Sequence, residues 1–200
     1  MPHPQDSTLL KIVGQAFAAS ARQSGDFLLC RPGCTQCCVG VFPISQLDAL
    51  RLRDGLGELQ RTEPARAEAI RQRAHASLAR LSDYPGDTHT GVLYDDPAAE
   101  EKFSGLGNDE PCPALSPETG RCELYASRPM TCRVFGPPIR SGEKGTLGVC
   151  ELCYHGASSD QIAACELIPD PQNLEAALIK EAENAAGHSG NTIIAFCLAD

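Results

Sequence analysis

The chain has 200 residues, of which 11 are cysteine, none is tryptophan and only 5% are aromatic. A formal charge of −9 argues against nucleic acid as a general partner, because a polyanion calls for a basic surface. So few large rings make a weak core for one domain of this length, and thiol-bound metal is the expected source of additional folding free energy.

The first residues, MPHPQDSTLL, have neither a basic start nor an apolar core. No secretory signal is legible in them, and a cytoplasmic protein is expected. No apolar run is long enough to span a bilayer, so no membrane partner is expected either. In a reducing compartment, cysteine in this abundance points to metal or catalysis rather than to disulfides.

Asp6 or Ser7 can cap a first helix that runs to about Gly25, with Leu9, Leu10, Ile12, Val13, Ala16 and Phe17 as its apolar stripe. After a cysteine loop, Ser45 with Asp48 three residues on predicts the start of a second helix. Leu47, Leu50 and Leu56 would face inward, and Gly55 and Gly57 would fray its far end. Thr62 and Pro64 open a third helix to about Leu81, carrying Ala67, Ile70, Ala74 and Leu78. The arginines of this region, Arg51 to Arg80, interleave with Asp54, Glu58, Glu63 and Glu68 and read as a solvated face. His75 reads as packed or exposed rather than ligating.

Periodicity is lost from Ser82 to Pro111, where a flexible insert or lid is expected. The runs "RCELY", "CRVFG" and "TLGVCEL" predict short strands of a small sheet. "PDPQNLEAALIKEAENAAG" predicts a last helix starting at Asp170 or Pro171, with Gly187 just past its end. The tail "NTIIAFCLAD" is β-like and would pair with one of the short runs. The expected fold is α+β and mostly helical, a single metal-stapled domain over residues 1–200. Its parts would be a helical region 6–81, an irregular insert 82–111, a cysteine-rich half 112–165, and a C-terminal helix and strand 170–200.

Cys30, Cys34, Cys37 and Cys38 form one cysteine group; Cys112, Cys122, Cys132, Cys150 and Cys153 form another; Cys165 and Cys197 lie beyond. Thiolates are soft ligands that select zinc, copper(I) or iron–sulfur clusters. The first group also spells C-x3-C-x2-C, the spacing of radical-SAM enzymes. That chemistry needs a large α/β barrel, which is not legible here, and it leaves most of the cysteines unexplained. Two distant groups can share a site only if the fold brings them together, so metal would staple the helical half to the proline-rich half. Four thiolates leave such a site negative, and Arg128 and Arg133 would offset that charge and donate toward sulfur. Pro113 and Pro129 stiffen the turns that present Cys112 and Cys132. Tyr125 reads as a packing residue, His155 as a residue outside the coordination, and Cys197 as a small buried hydrophobe in a terminal strand. No Ser/His/Asp set, phosphate loop or dinucleotide fingerprint is present, so no catalytic residue is legible.

"CRPGCTQCC", followed by "PISQLDALRL" and then by "PCPALSPETGRCELYASRPMTCRVFG", resembles the YkgJ-type cysteine-cluster family. That family is also described as the CxxCxxCC, zinc- or iron-chelating, domain. The resemblance spans roughly Cys30 to Cys153. It implies metal chelation, with Cys30, Cys34, Cys37, Cys38, Cys112, Cys122, Cys132, Cys150 and Cys153 as the metal ligands. Cys30 stands one residue farther from Cys34 than the family spacing, so Cys34, Cys37 and Cys38 are the ungapped unit. Distant relatives of the family, the flagellin lysine methylases, are described with an iron–sulfur cluster.

Two identities for the metal stay open. An iron–sulfur cluster suits irregular Gly- and Pro-rich loops with a Cys112-Pro113 turn. Zinc suits the knuckles Cys34/Cys37 and Cys150/Cys153, leaving Cys38, Cys112, Cys122 and Cys132 for a second site. The expected function is an iron–sulfur redox or metal-dependent enzyme module acting on a small molecule or a protein. The alternative is a zinc-binding structural or carrier protein.

Overall fold

The structure, a computed structural model, describes residues 4–141 and 145–200. Its helices are α1 (Pro4–Ser24), α2 (Gln46–Thr62), α3 (Pro64–Arg80), α4 (Pro97–Ser104), α5 (Met130–Val134), α6 (Ser159–Ala164), α7 (Leu174–Ala186) and α8 (Ile194–Leu198). Strands β1 (Ile139–Ser141) and β2 (Thr146–Gly148) pair antiparallel, with Arg140 opposite Leu147. The fold is therefore α+β and mostly helical, as the sequence implies. Backbone contacts group the chain into two units. One comprises Gly33–Pro129 with Leu178–Asp200; the other comprises Met130–Ala177 with the chain up to Pro32.

The first unit is built on α2, α3 and α8. The Ser45 side chain accepts a hydrogen bond from the Asp48 amide and starts α2, while a proline in the first turn starts α3. Ala49, Leu52 and Leu56 of α2 meet Ala67, Ile70 and Ala74 of α3 and Ile194, Cys197 and Leu198 of α8 in one core. That stripe follows helical spacing, and Leu50 falls off it: it is 46% exposed, not inward-facing as expected.

Gly55 and Gly57 do not fray α2, which continues to Thr62. A Cβ at Gly55 would collide with the Ser127 side chain, so glycine is what lets the turn Tyr125–Ser127 lie against the helix. The tail also departs from expectation. Within it Thr192 pairs as a single bridge residue, exchanging backbone hydrogen bonds with Ile44 at 2.8 and 2.9 Å. The residues after it form α8 instead of a strand, because helical spacing buries Ile194, Ala195, Cys197 and Leu198 together. Tertiary burial overrides β propensity here.

Residues 82–111 are not a free lid. Tyr84 packs on Phe196 with ring centroids 4.8 Å apart, and its hydroxyl donates to the Gly91 carbonyl at 2.7 Å. Asp87 accepts from the amides of His89 and Thr90, and Asp96 caps α4 by accepting from Ala98 and Ala99. Gly40 and Val41 donate to the carbonyls of Glu110 and Gly107. Turn and cap chemistry orders this stretch, and neither leaves an apolar period in the sequence.

In the second unit, Ser20 on α1 donates to the Cys165 carbonyl at 2.6 Å. Arg140 on β1 pairs with Glu166 at 2.8 Å. Of the three runs expected as strands, only "TLGVCEL" supplies one, β2. "CRVFG" lies largely in α5, and "RCELY" enters a 3-10 turn; runs this short do not distinguish helix from strand by period. The last expected helix is α7, preceded by Asp170, whose side chain accepts from the Glu175 amide, and followed by Gly187 at φ 74°. Among the described residues no helix is long and apolar enough to cross a membrane.

The two glycines of α2 should respond to alanine in opposite directions. Gly57 has nothing within 4 Å of an added Cβ, so Gly57→Ala should stabilise by about 1 kcal/mol through helix propensity alone. Gly55→Ala must push Ser127 away and should destabilise by about 1–3 kcal/mol. Thermal denaturation of the two variants checks this, and a shared sign would contradict the close approach.

Candidate metal centre

The geometry of the centre begins with backbone. Cys37 and Cys38 sit in a 3-10 turn, Gln36–Cys38, which the Cys38 amide closes on the Thr35 carbonyl at 2.8 Å. The next residue, Val39, bridges Pro111, and the Cys112 amide donates to the Cys38 carbonyl at 2.8 Å. From Cys112 the chain turns tightly. Leu115 bridges Cys122, Ser116 donates to the Arg121 carbonyl, Glu123 donates to the Ala114 carbonyl, and Gly120 takes φ 64° in the bend. This hairpin returns Cys122 to the side of Cys112. The two cysteines pack, half-buried, against the α2–α3–α8 core.

Side chains from α3 fix the hairpin. Arg73 donates to the Pro113 carbonyl at 2.8 Å and pairs with Glu123, which Arg66 also meets at 3.1 Å. Glu123 is only 10% exposed, so these ion pairs are partly shielded from solvent. Two of the arginines read as a solvated face therefore anchor the hairpin that carries Cys112 and Cys122. A charge run cannot announce a partner so distant in sequence.

The thiols influence one another's protonation. Cys37 accepts a hydrogen bond from Cys38, which holds its thiol well below the usual range, to about 6, with a smaller contribution from Arg128. Cys38 is pushed up, first by serving as that donor and then by burial. Burial pushes Cys112 up to about 12, and burial also raises Cys122 against the pull of Arg128. Cys112 and Cys122 each add to the cost of charging Cys38. The chain alone thus favours one thiolate among four sulfurs, and a bound cation would remove the repulsion that keeps the others protonated.

Arg128 stands beside this group. Its guanidinium carbon is 3.8 Å from the centroid of the Tyr125 ring, and it donates to the Tyr125 carbonyl at 2.8 Å. Tyr125 is 63% exposed, so it is a platform under Arg128 and not the packing residue expected.

The remaining candidates divide between the units. Cys34 lies in the loop leading to the Cys37 turn, in the first unit. Cys30, Cys132, Cys150 and Cys153 belong to the second, as does Arg133, which is on α5 with Cys132. Cys197 is buried in α8 and its thiol donates to the Ile193 carbonyl at 3.4 Å, the small hydrophobe expected, on a helix and not a strand. His75 and His155 are exposed. Cys165, which the motif reading set aside, packs with Cys150, Cys153 and Tyr154 in a buried cluster.

Among the described residues no group of three or more His, Cys, Asp or Glu side chains already stands in ligating geometry. By chemistry the donor set fits a soft or borderline metal: several thiols, one already ionised, with a guanidinium to balance the charge they gain.

A family model described as "CxxCxxCC: Putative zinc- or iron-chelating domain" matches residues 29–150, more than half of the chain. No curated protein and no solved structure matches it. The matched region takes in the Cys37–Cys38 turn and the whole Cys112–Cys122 hairpin, and leaves Cys153, Cys165 and Cys197 outside.

In the metal-free, reduced chain, Cys37 should be the cysteine alkylated fastest at neutral pH, with its rate half-maximal near its pKa of about 6. Cys38→Ala removes the donor and should move that midpoint toward the ordinary thiol range. Peptide mass spectrometry of iodoacetamide-treated protein across pH reads both. An unchanged midpoint would mean that Cys38 does not set it.

Proposed function

The chain belongs to this CxxCxxCC family, and on that premise we propose that Cys37, Cys38, Cys112 and Cys122, joined by Cys34, hold an iron–sulfur cluster. The observation that carries the reading is the Cys112-to-Cys38 backbone bond, which gathers thiols from two distant loops beside one ionised sulfur and one arginine. Loops of this irregular kind, with a proline directly after Cys112, suit an object larger than one ion. When bound, the cluster supplies one-electron chemistry or an iron Lewis acid. The residues of the chain do the rest: Arg128 offsets thiolate charge, and Arg73 with Glu123 keeps the hairpin in place. The protein is then a cytoplasmic redox or metal-dependent module for a small-molecule or protein substrate, its acidic surface disfavouring nucleic acid. Its cysteines, thiols and not disulfides, suit a reducing compartment.

Zinc is the second reading, favoured by the Cys34-x2-Cys37 spacing and by the tetrahedral preference of four-thiolate sites. Metal analysis decides between them. Protein purified without oxygen should contain iron and acid-labile sulfide and absorb in the visible. A colourless protein with stoichiometric zinc would overturn the cluster. Cys122→Ser should lose iron and acid-labile sulfide together with stability, since binding free energy in such sites is folding free energy. Cys197→Ser should keep its metal.

A further inference from the structure

The second unit holds thiols that the centre above does not use. Cys150 and Cys153 are each 5% exposed and Cys165 is 4% exposed. All three pack in one cluster with Tyr154 and with Phe27, Leu28, Ala157 and Ile162 around them. Buried cysteines are often only small hydrophobes, but the backbone around these is arranged for more than packing.

Four features exceed what packing requires. The Cys153 amide donates to the Cys150 carbonyl at 2.9 Å, folding the Cys-x2-Cys segment into a tight turn. The Leu29 amide donates to the sulfur of Cys153 at 3.4 Å, the kind of bond that disperses charge on a ligating thiolate. Tyr154, directly after the turn, has φ 60°, a left-handed conformation that bulky residues avoid and that persists where the surroundings demand it. Gly136 is the fourth: a Cβ there would lie 2.5 Å from the sulfur of Cys30, while its carbonyl accepts from the Cys150 amide at 3.3 Å. The glycine thereby lets Cys30 approach the strand of chain that carries Cys150.

The surroundings place the buried sulfurs around one side chain. Cys150, Cys153 and Cys165 share their cluster with Phe27, whose ring stacks with centroids 6.2 Å apart on Tyr154. Ser24 shares a hydrogen bond with its hydroxyl at 2.5 Å, and its amide donates to the Phe27 carbonyl. Tyr154 is thus tied at both ends to the segment that precedes Cys30.

We infer that the second unit contains a metal site of its own, in which Cys30, Cys150, Cys153 and Cys165 hold a single tetrahedral ion of the zinc class. A lone ion suits the site because a Cys-x2-Cys turn with amide-to-sulfur bonding is the form in which two thiolates are offered to one tetrahedral centre. Cys165 is the ligand that neither the motif nor the family match contains. The site deepens the chelation reading without depending on an iron–sulfur cluster in the first unit.

Cobalt(II) is the probe, since four thiolates around it give intense visible ligand-field bands that follow ligand identity. Metal-free full-length Cys122→Ser, impaired in the first centre, is titrated with cobalt. It should develop the bands of a four-sulfur tetrahedral site. Adding Cys153→Ser should abolish them, and adding Cys165→His should shift them as nitrogen replaces one sulfur. Circular dichroism confirms that each variant keeps its helices. Retention of unshifted bands in Cys165→His, or absence of bands in Cys122→Ser with its helices intact, would overturn the site. Should Cys122→Ser fail to fold, zinc content of the otherwise wild-type Cys165→Ser chain is the deciding measurement: loss of zinc with iron and sulfide retained is expected, and full zinc overturns the proposal. Iron and sulfide content reads the first centre separately, so failure of one reading is distinguishable from failure of the other.

Discussion

The hydrogen bond from the Cys112 amide to the Cys38 carbonyl is the constraint on which the first unit turns. It sets the register between the loop after Gly33 and the hairpin from Cys112 to Cys122. Other features keep that register from slipping. Arg73 grips the hairpin at Pro113 and Glu123, and Gly55 leaves room for the turn that follows Leu124. Leu124 itself is buried in the same core as Leu52 and Ile70. Helix packing and cysteine placement are therefore one problem with one solution.

Burial sets the electrostatic character of the thiols. A half-buried sulfur ionises reluctantly, and each ionised neighbour makes the next ionisation harder. One thiolate is obtained cheaply at Cys37 because Cys38 supplies the proton donor. Further thiolates need a cation, so at such a group proton release and metal entry would be linked events. Arg128 enters the same balance as a fixed positive charge that no titration removes, held flat against Tyr125.

Much of this was legible in the sequence, and the limits have physical causes. Long helices were readable: α1, α2, α3 and α7 carry apolar periods over several turns and begin or end on recognisable caps. The short helices α4, α5 and α8 span too few residues to show a period, and α8 is rich in residues that favour strands. The cysteine groups were readable by spacing, since ligand spacing is local. The division of those cysteines between two units was not, because it depends on which loops the backbone pairs. Arg73 and Gly55 were misread for the same reason: each owes its position to a partner far along the chain, Glu123 for the first and Ser127 for the second, and a composition pattern records only neighbours.

Cys112 and Cys122 pack against the buried face shared by α2, α3 and α8. The wall of the hydrophobic core and the floor of the thiol group are the same atoms. If these thiols hold the ion, a chain without it would loosen that wall, and opened chains are the ones that cellular proteases take. Lifetime in the cell would then follow metal supply: molecules made in scarcity would be cleared before they accumulate, and abundance would report on the metal without any dedicated sensor.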